Sequence, residues 1–298
     1  MANFRALQSA NRRKTFFLLF FMGVLVWFIS YIAISAFGGS GAGVIPLAVL
    51  ISLVSVWGSY YASDKLVLKM TRAHLIQESD NPKLFNLVNE VCIASGLPMP
   101  KVAIVDDPAP NAFATGRDPD HALIAFTTGL LGAMDRDELQ GVVAHEMAHV
   151  ANRDTLVSAV AATTAGAIAL ISDFLMRMLW FGGRRDRSQS NPLVLLFSFV
   201  VILLAPIAAM MLRSAISRRR ESLADATAVE FTRNPTGLRK ALEVLARDST
   251  VVQARSTAVA HVWIECPLDS KAVSRLFATH PPIQERIETL RKLEGGVL

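Results

Sequence analysis

The stretch His145-Glu146-Met147-Ala148-His149 decides how this chain is read. Residues four apart on an α-helix lie on one face. A helix here turns both imidazoles toward one ion, with Glu146 beside them. Zinc takes histidine nitrogen readily and keeps an open coordination position where it is catalytic. A carboxylate next to that position takes a proton from the bound water, which is the H-E-x-x-H peptidase arrangement.

The competing reading is two surface histidines on an ordinary amphipathic helix, and the flanks weigh against it. Residues 139–151 read Leu-Gln-Gly-Val-Val-Ala-His-Glu-Met-Ala-His-Val-Ala, uncharged and mostly apolar around the three polar groups apart from Gln140. Charged and imidazole groups in such a helix are costly unless paired or metal-bound. Asp135, with Glu138 three residues on, predicts a capping-box start.

A catalytic zinc has three protein ligands and a water. The continuation H-x-x-G-x-x-H is absent, because Val150-Ala151-Asn152-Arg153-Asp154-Thr155 follows His149. The third ligand is then expected to be a glutamate on a second helix. Glu221 in Arg220-Glu221-Ser222-Leu223-Ala224-Asp225 is the best candidate, since Asp225 lies four residues on, on the same face. In this reading Glu221 ligates, and Asp225 accepts the second N–H of a ligating histidine and so fixes its tautomer. The alternative for Glu221 is a surface salt bridge with the neighbouring arginines. Glu230 and Glu243 are weaker candidates, because neither opens an E-x-x-x-D pair, and Asp154 follows His149 too closely to come from a separate element.

Of the 298 residues 52% are hydrophobic, and the mean hydropathy is +0.39. That is too apolar for an ordinary soluble protein and points to membrane spans. Residues 16–37 carry no charge over about 22 positions, enough to cross a bilayer. Residues 44–61, 156–172 and 193–212 are further uncharged runs. The last two also read as buried helices of a soluble domain, although being apolar all round favours membrane. The first run is longer than a signal-peptide core and a second follows at once, so it is expected to be a retained anchor.

The net charge of +5 comes from basic residues beside these runs: Arg12, Arg13 and Lys14 before the first, and Arg213, Arg218, Arg219 and Arg220 after the fourth. That is the positive-inside pattern. No nucleic-acid-binding motif is present, so nucleic acid is not expected as a partner. The expected organisation is a transmembrane hairpin over 1–63, a cytoplasmic catalytic part over 64–155, a second hairpin over 156–212, and a second catalytic part over 213–298. Arg184, Arg185 and Arg187 would then lie outside. Either the later spans dominate, or the third and fourth runs form a shallow hairpin that does not fully cross.

Between the hairpins, Asn81 as cap, Pro82 in the first turn and Gly96 at the end predict a helix over 81–96. Residues 100–105, 111–116 and 121–127 predict three strands. The fold class is thus mainly α with a small β-sheet: a zincin-like catalytic domain in a multi-pass membrane protein. A sheet beside the motif helix has a use, because an extended substrate can pair with an exposed edge strand. Asn111 and Phe113 read equally as a turn cap and a core aromatic. His280, just ahead of Pro281-Pro282, is either a cap or a partner for the oxyanion. His74, His121 and His261 are expected to be surface or core residues. Cys92 and Cys266 are expected to stay reduced and not to ligate metal. Residues 182–191 and 247–257 are expected to be mobile loops.

The N-terminal hairpin, Asn111-Ala112-Phe113-Ala114, His145-Glu146-Met147-Ala148-His149, the apolar hairpin after it, Glu221-Ser222-Leu223-Ala224-Asp225 and His280-Pro281-Pro282 follow one another in this order. Together they resemble the HtpX family of bacterial membrane zinc endopeptidases, relatives of the CAAX prenyl proteases. The resemblance implies a zinc metalloendopeptidase in the inner membrane with its catalytic domain facing the cytoplasm. It implies cleavage of misfolded or damaged membrane proteins in envelope stress quality control. The partners it implies are membrane-protein and unfolded polypeptide substrates and the lipid bilayer. By the same resemblance His145, His149 and Glu221 match the ligands of one zinc ion, Glu146 the catalytic base and Asp225 the carboxylate behind a histidine. Asn111, Ala112, Phe113 and Ala114 match the substrate-binding edge strand. A prenyl-protein protease is usually longer, with more spans. A silent scaffold or transporter is weighed against by the intact His145, Glu146, His149 and Glu221, and by the scarcity of ionisable or broken-helix features in the runs.

Overall fold

A computed structural model of the chain describes residues 42–156, 218–248, 263–264 and 283–295, together with 196, 200 and scattered positions from 13 to 34. The elements in chain order are α1 (Val44–Thr71), β1 (His74–Leu75), α2 (Pro82–Ser95), β2 (Lys101–Val105), β3 (Ala112–Thr115), β4 (Leu123–Thr127), α3 (Thr128–Ala133), α4 (Arg136–Asn152), α5 (Arg218–Thr232), α6 (Pro235–Arg247) and α7 (Ile283–Glu294). The described residues are mainly helical with one four-stranded sheet, in the order β1-β2-β4-β3.

Local chemistry sets the helix ends. In α2 the Asn81 side chain accepts from the Leu84 N–H, and Gly96 closes the helix at a φ of 70°. In α4 the Asp135 carboxylate accepts from the Glu138 N–H at 2.9 Å and Glu138 accepts from the Asp135 N–H at 2.9 Å, a complete capping box. Two helical features were not legible. Helix α3 starts directly on the last residue of β4, where Thr127 Oγ1 accepts from the Leu130 N–H, so no loop residue marks the junction. Helix α1 runs on through Asp64 and Lys65 to Thr71, because charges end an apolar run without ending a helix.

The strands are shorter than expected at their starts. His121 belongs to a short 3-10 turn (Pro119–His121), whose Asp118 carboxylate accepts from the His121 N–H. β1 is two residues long and gives no alternation to read. β4 is parallel to β2 and antiparallel to β3, and all five of its residues are buried. One face of the sheet, with Val102, Ala112, Ala114, Ile124 and Phe126, packs on α2, α4 and α6. The other, with Ala103, Phe113, Leu123 and Ala125, packs on Val67 of α1 and on Trp263. Successive residues alternate between these two cores, as strand geometry requires.

The first core joins both parts of the chain: Val143 and Met147 of α4 pack with Ala228 of α5, Leu238 and Leu242 of α6, and Ile287 and Leu290 of α7. α4 meets α6 at backbone contact. A Cβ on Gly141 would lie 2.5 Å from the Leu238 nitrogen, and one on Gly237 would lie 2.5 Å from the Asp137 carbonyl oxygen. These two glycines let the motif helix sit against its neighbour without intervening side chains.

Among the described residues no helix is long and apolar enough to cross a membrane. Eight positions of 16–37 and nearly all of 156–172 and 193–212 lie outside the described residues, as do loop 182–191, residues 249–257, His261, Cys266 and His280. The first half of α1 leaves Ile45, Leu50, Leu53, Val54 and Trp57 exposed. Its Ser52 hydroxyl donates to the Gly23 carbonyl at 2.7 Å, so the helical residues 23–31 touch α1.

Candidate metal centre

α5 lies alongside α4 and brings Glu221 to the two motif histidines. The Nε2 atoms of His145 and His149 are 3.2 Å apart. Glu221 places Oε2 3.6 Å from His145 Nε2 and Oε1 3.6 Å from His149 Nε2. Ligand atoms bound at ~2.0–2.2 Å to a tetrahedral zinc stand about 3.3–3.6 Å from one another. The three side chains therefore fit such an ion. They also form a group of possible metal-binding donors, all within 4.8 Å of one another. Glu146 is 2% exposed, and its charge couples to those of His145, His149 and Glu221. Burial and the neighbouring Glu221 push its carboxyl up from its ordinary value, against the pull of both histidines.

The remaining ring nitrogen of each histidine faces a carboxylate. His145 Nδ1 lies 3.0 Å from Asp225 Oδ1, and His149 Nδ1 lies 3.4 Å from Asp154 Oδ2. With the N–H at Nδ1, each Nε2 turns its lone pair toward Glu221. Each carboxylate in turn has an arginine. Arg286 of α7 donates from Nη2 to Asp225 Oδ1 at 2.7 Å and from Nε to Oδ2 at 2.9 Å. Its Nη1 is 3.6 Å from Glu221 Oε2, and its Nη2 is 3.3 Å from the His145 ring nitrogens. Arg220 Nε lies 3.7 Å from Asp154 Oδ1. Burial works against the Asp225 carboxylate, but Arg286 and His145 hold it down at about 2.

Asp154, Arg220 and Arg286 are the residues that sequence reasoning missed. Asp154 was set aside as a ligand on spacing. The left-handed turn at Arg153, φ 58°, folds the chain back over the end of α4 and delivers Asp154 to His149 as a supporting carboxylate. Arg286 carried a signal: it falls on the apolar stripe of Ile283, Ile287 and Leu290, where a charge has no place unless paired. Of the other candidates, Glu230 is exposed and Glu243 pairs with Arg239 at 2.6 Å on the surface. His74 is exposed in β1, and His121 pairs with Asp118 at 2.6 Å. Cys92 is a buried free thiol, pushed up to about 11 by burial.

Burial works against the charged form of His149, but Glu221 and Asp154 outweigh it and raise the imidazole to about 9. Metal-free protein therefore keeps a proton there at neutral pH. Its contribution to stability is fully present below the ordinary value of 6.5 and is lost as pH rises through about 9. A metal must displace that proton. The zinc association constant is expected to rise by at least ~10-fold per pH unit between about pH 7 and 9. Competition against a chelator of known affinity measures it, and a flat profile would remove His149 from the ligand set.

β3 lies at the end of the sheet, yet Asn111, Ala112, Phe113 and Ala114 are all buried rather than open to solvent. Asn111 is tied to β4 by its N–H to Thr127 Oγ1 at 2.8 Å and by its carbonyl, which accepts from the Thr127 N–H at 2.9 Å.

The model of peptidase family M48 matches residues 78–294. The chain belongs to peptidase family M48. Similar M48 relatives include a protease HtpX homolog of Caldanaerobacter subterraneus, 43% identical over 292 residues that cover 96% of this chain and 97% of the relative. Another, from Tropheryma whipplei, is 48% identical over 238 residues, covering 78% of this chain and 80% of the relative. The crystal structure of S. mikatae Ste24p shares the fold, with a TM-score of 0.53 at 17% identity over 96% of this chain and 66% of that chain. This M48 chain is accordingly an HtpX-type metalloendopeptidase, and its substrates are peptides. Zinc is the cofactor that M48 membership implies.

Proposed function

We propose that the chain is a zinc-dependent membrane endopeptidase that cleaves misfolded or damaged membrane proteins on the cytoplasmic side, as part of envelope stress quality control. The observation that carries the chemistry is the spacing of His145 Nε2, His149 Nε2 and the Glu221 carboxylate, 3.2 and 3.6 Å apart, with Glu146 buried beside them. His145, His149 and Glu221 hold one zinc ion in this reading. When bound, zinc supplies Lewis-acid polarisation of the scissile carbonyl and of a water. Glu146 takes the water proton and returns it to the leaving amine. Its raised carboxyl pKa brings it closer to the operating pH, where a general base is most effective. Asp225 and Asp154 orient the two imidazoles. His280 hydrogen-bonds the oxyanion, and a substrate strand pairs along β3.

Membrane residence rests on the uncharged runs over 16–37, 44–61, 156–172 and 193–212 and on the exposed apolar side chains of α1. The proposed division is two hairpins, 1–63 and 156–212, alternating with catalytic parts 64–155 and 213–298. The test uses full-length protein in detergent with unfolded casein. Chelation is expected to abolish cleavage, and zinc to restore it. Full cleavage after the metal has been stripped would overturn the zinc reading.

A further inference from the structure

The end of the sheet that a substrate would use is partly taken by the chain itself. The Asn111 carbonyl accepts from the Thr127 N–H and the Asn111 N–H donates to Thr127 Oγ1, so Asn111 faces β4, and along β3 the residues facing β4 alternate with residues facing away. Ala112 and Ala114 are the two that turn their N–H and C=O outward. The outward N–H of Ala112 is satisfied locally, donating to Asn111 Oδ1 at 3.0 Å. Its outward carbonyl accepts from the Ile264 N–H at 2.9 Å. Trp263 is 1% exposed and stands edge-on to Phe113, with ring centroids 4.9 Å apart. Ile264 is 5% exposed and sits in the opposite core. Successive residues thus enter opposite faces of the sheet, as residues of a neighbouring strand do. Among the described residues, no segment takes the outward groups of Ala114.

We propose that Trp263 and Ile264 form a fixed stop on the substrate edge, closing β3 at Ala112 so that a substrate backbone pairs at Ala114 and no further. This rests on the reading of β3 as the substrate strand. The pair is held from both sides of the sheet, by an aromatic contact on one and an aliphatic core on the other, and is therefore built to stay in place while substrate binds. Substrate length beyond the Ala114 pairing then gains nothing on that side. A register step along an edge comes in twos, because a one-residue slip flips every side chain. The stop is placed one such step from Ala114.

The test uses full-length, zinc-loaded protein in detergent and a length series of peptides taken from casein cleavage sites. Ile264→Pro removes the donor, and Trp263→Ala removes the anchor on the other face. Either variant frees the Ala112 carbonyl for a further hydrogen bond. KM for the longer peptides is expected to fall about three- to tenfold, with kcat within about twofold and no change for peptides that end at the Ala114 pairing. Unchanged or raised KM for the long peptides, in variants that keep stoichiometric zinc, overturns the stop. A measurement without changes at these positions is amide hydrogen exchange in Glu146→Gln. Ile264 is expected to stay protected when a long peptide is added, and loss of protection on binding overturns a fixed stop. Ala114→Pro separates the two levels, since it deletes the open donor at an edge position that tolerates proline. Raised KM in Ala114→Pro with unchanged Ile264 variants sinks the stop alone, whereas unchanged KM in Ala114→Pro removes β3 as the substrate strand and the stop with it.

Discussion

Glu146→Gln is expected to lower kcat/KM by about 10²- to 10⁴-fold while zinc stays bound in stoichiometric amount. Glutamine keeps the size of the side chain and loses the ability to accept a proton. The proposed ligand atoms belong to His145, His149 and Glu221, so they are untouched. The loss should appear in kcat, because the proton moves in the reaction and not in substrate binding. Cleavage of casein-derived peptides, with metal analysis on the same sample, reads both. Wild-type turnover in the variant would move the base to another residue.

Arg286→Ala is expected to cost about 3–5 kcal/mol of folding stability and to weaken zinc by about 10–100-fold. The guanidinium bonds both oxygens of Asp225 and faces Glu221 at 3.6 Å, and all three residues are buried. Alanine takes away the guanidinium that both buried carboxylates face and, among the described residues, leaves Asp225 with only the His145 imidazole close by. Arg286→Lys is expected to rescue little, since one ammonium cannot span the two oxygens as the planar fork does. The effect depends on pH. Asp225 is held near 2 against an ordinary 3.8, so its contribution is complete above 3.8 and fades as pH falls through about 2. Without Arg286 it should fade at milder acid. Thermal unfolding in detergent at neutral and acid pH, with chelator competition, measures both effects. An unchanged midpoint and unchanged zinc affinity would make the guanidinium a bystander.

What could be read in advance followed from local rules. The Asn81 cap with Pro82, the capping box of Asp135 and Glu138, and the face-sharing of His145 with His149 are all set within a few residues, and each is found in the structure. Glu221 was accessible because Asp225 repeats the helical spacing. What stayed hidden is created by contacts between distant segments. Arg286 reaches His145 from the last helix, and Ile264 closes on Ala112 from a stretch with no strand pattern of its own. Asp154 stays outside the group of possible ligands, as its spacing suggested, but its supporting contact with His149 was hidden because it depends on the left-handed turn at Arg153.

Counting charge around the two histidines gives the centre a further property. Among the described residues, the buried carboxylates grouped at this centre are Glu146, Asp154, Glu221 and Asp225, Asp107 being buried at the Ala109 N–H instead, and the buried guanidiniums are Arg220 and Arg286. Four negative and two positive groups leave the centre short of two positive charges. A dication makes up the shortfall. So do two protons, one on each imidazole, and the surroundings raise both His145 and His149 above their ordinary value. The same shortfall is thus met by a dication or by protons, so that release of the ion and uptake of protons on the imidazoles are coupled events at this centre.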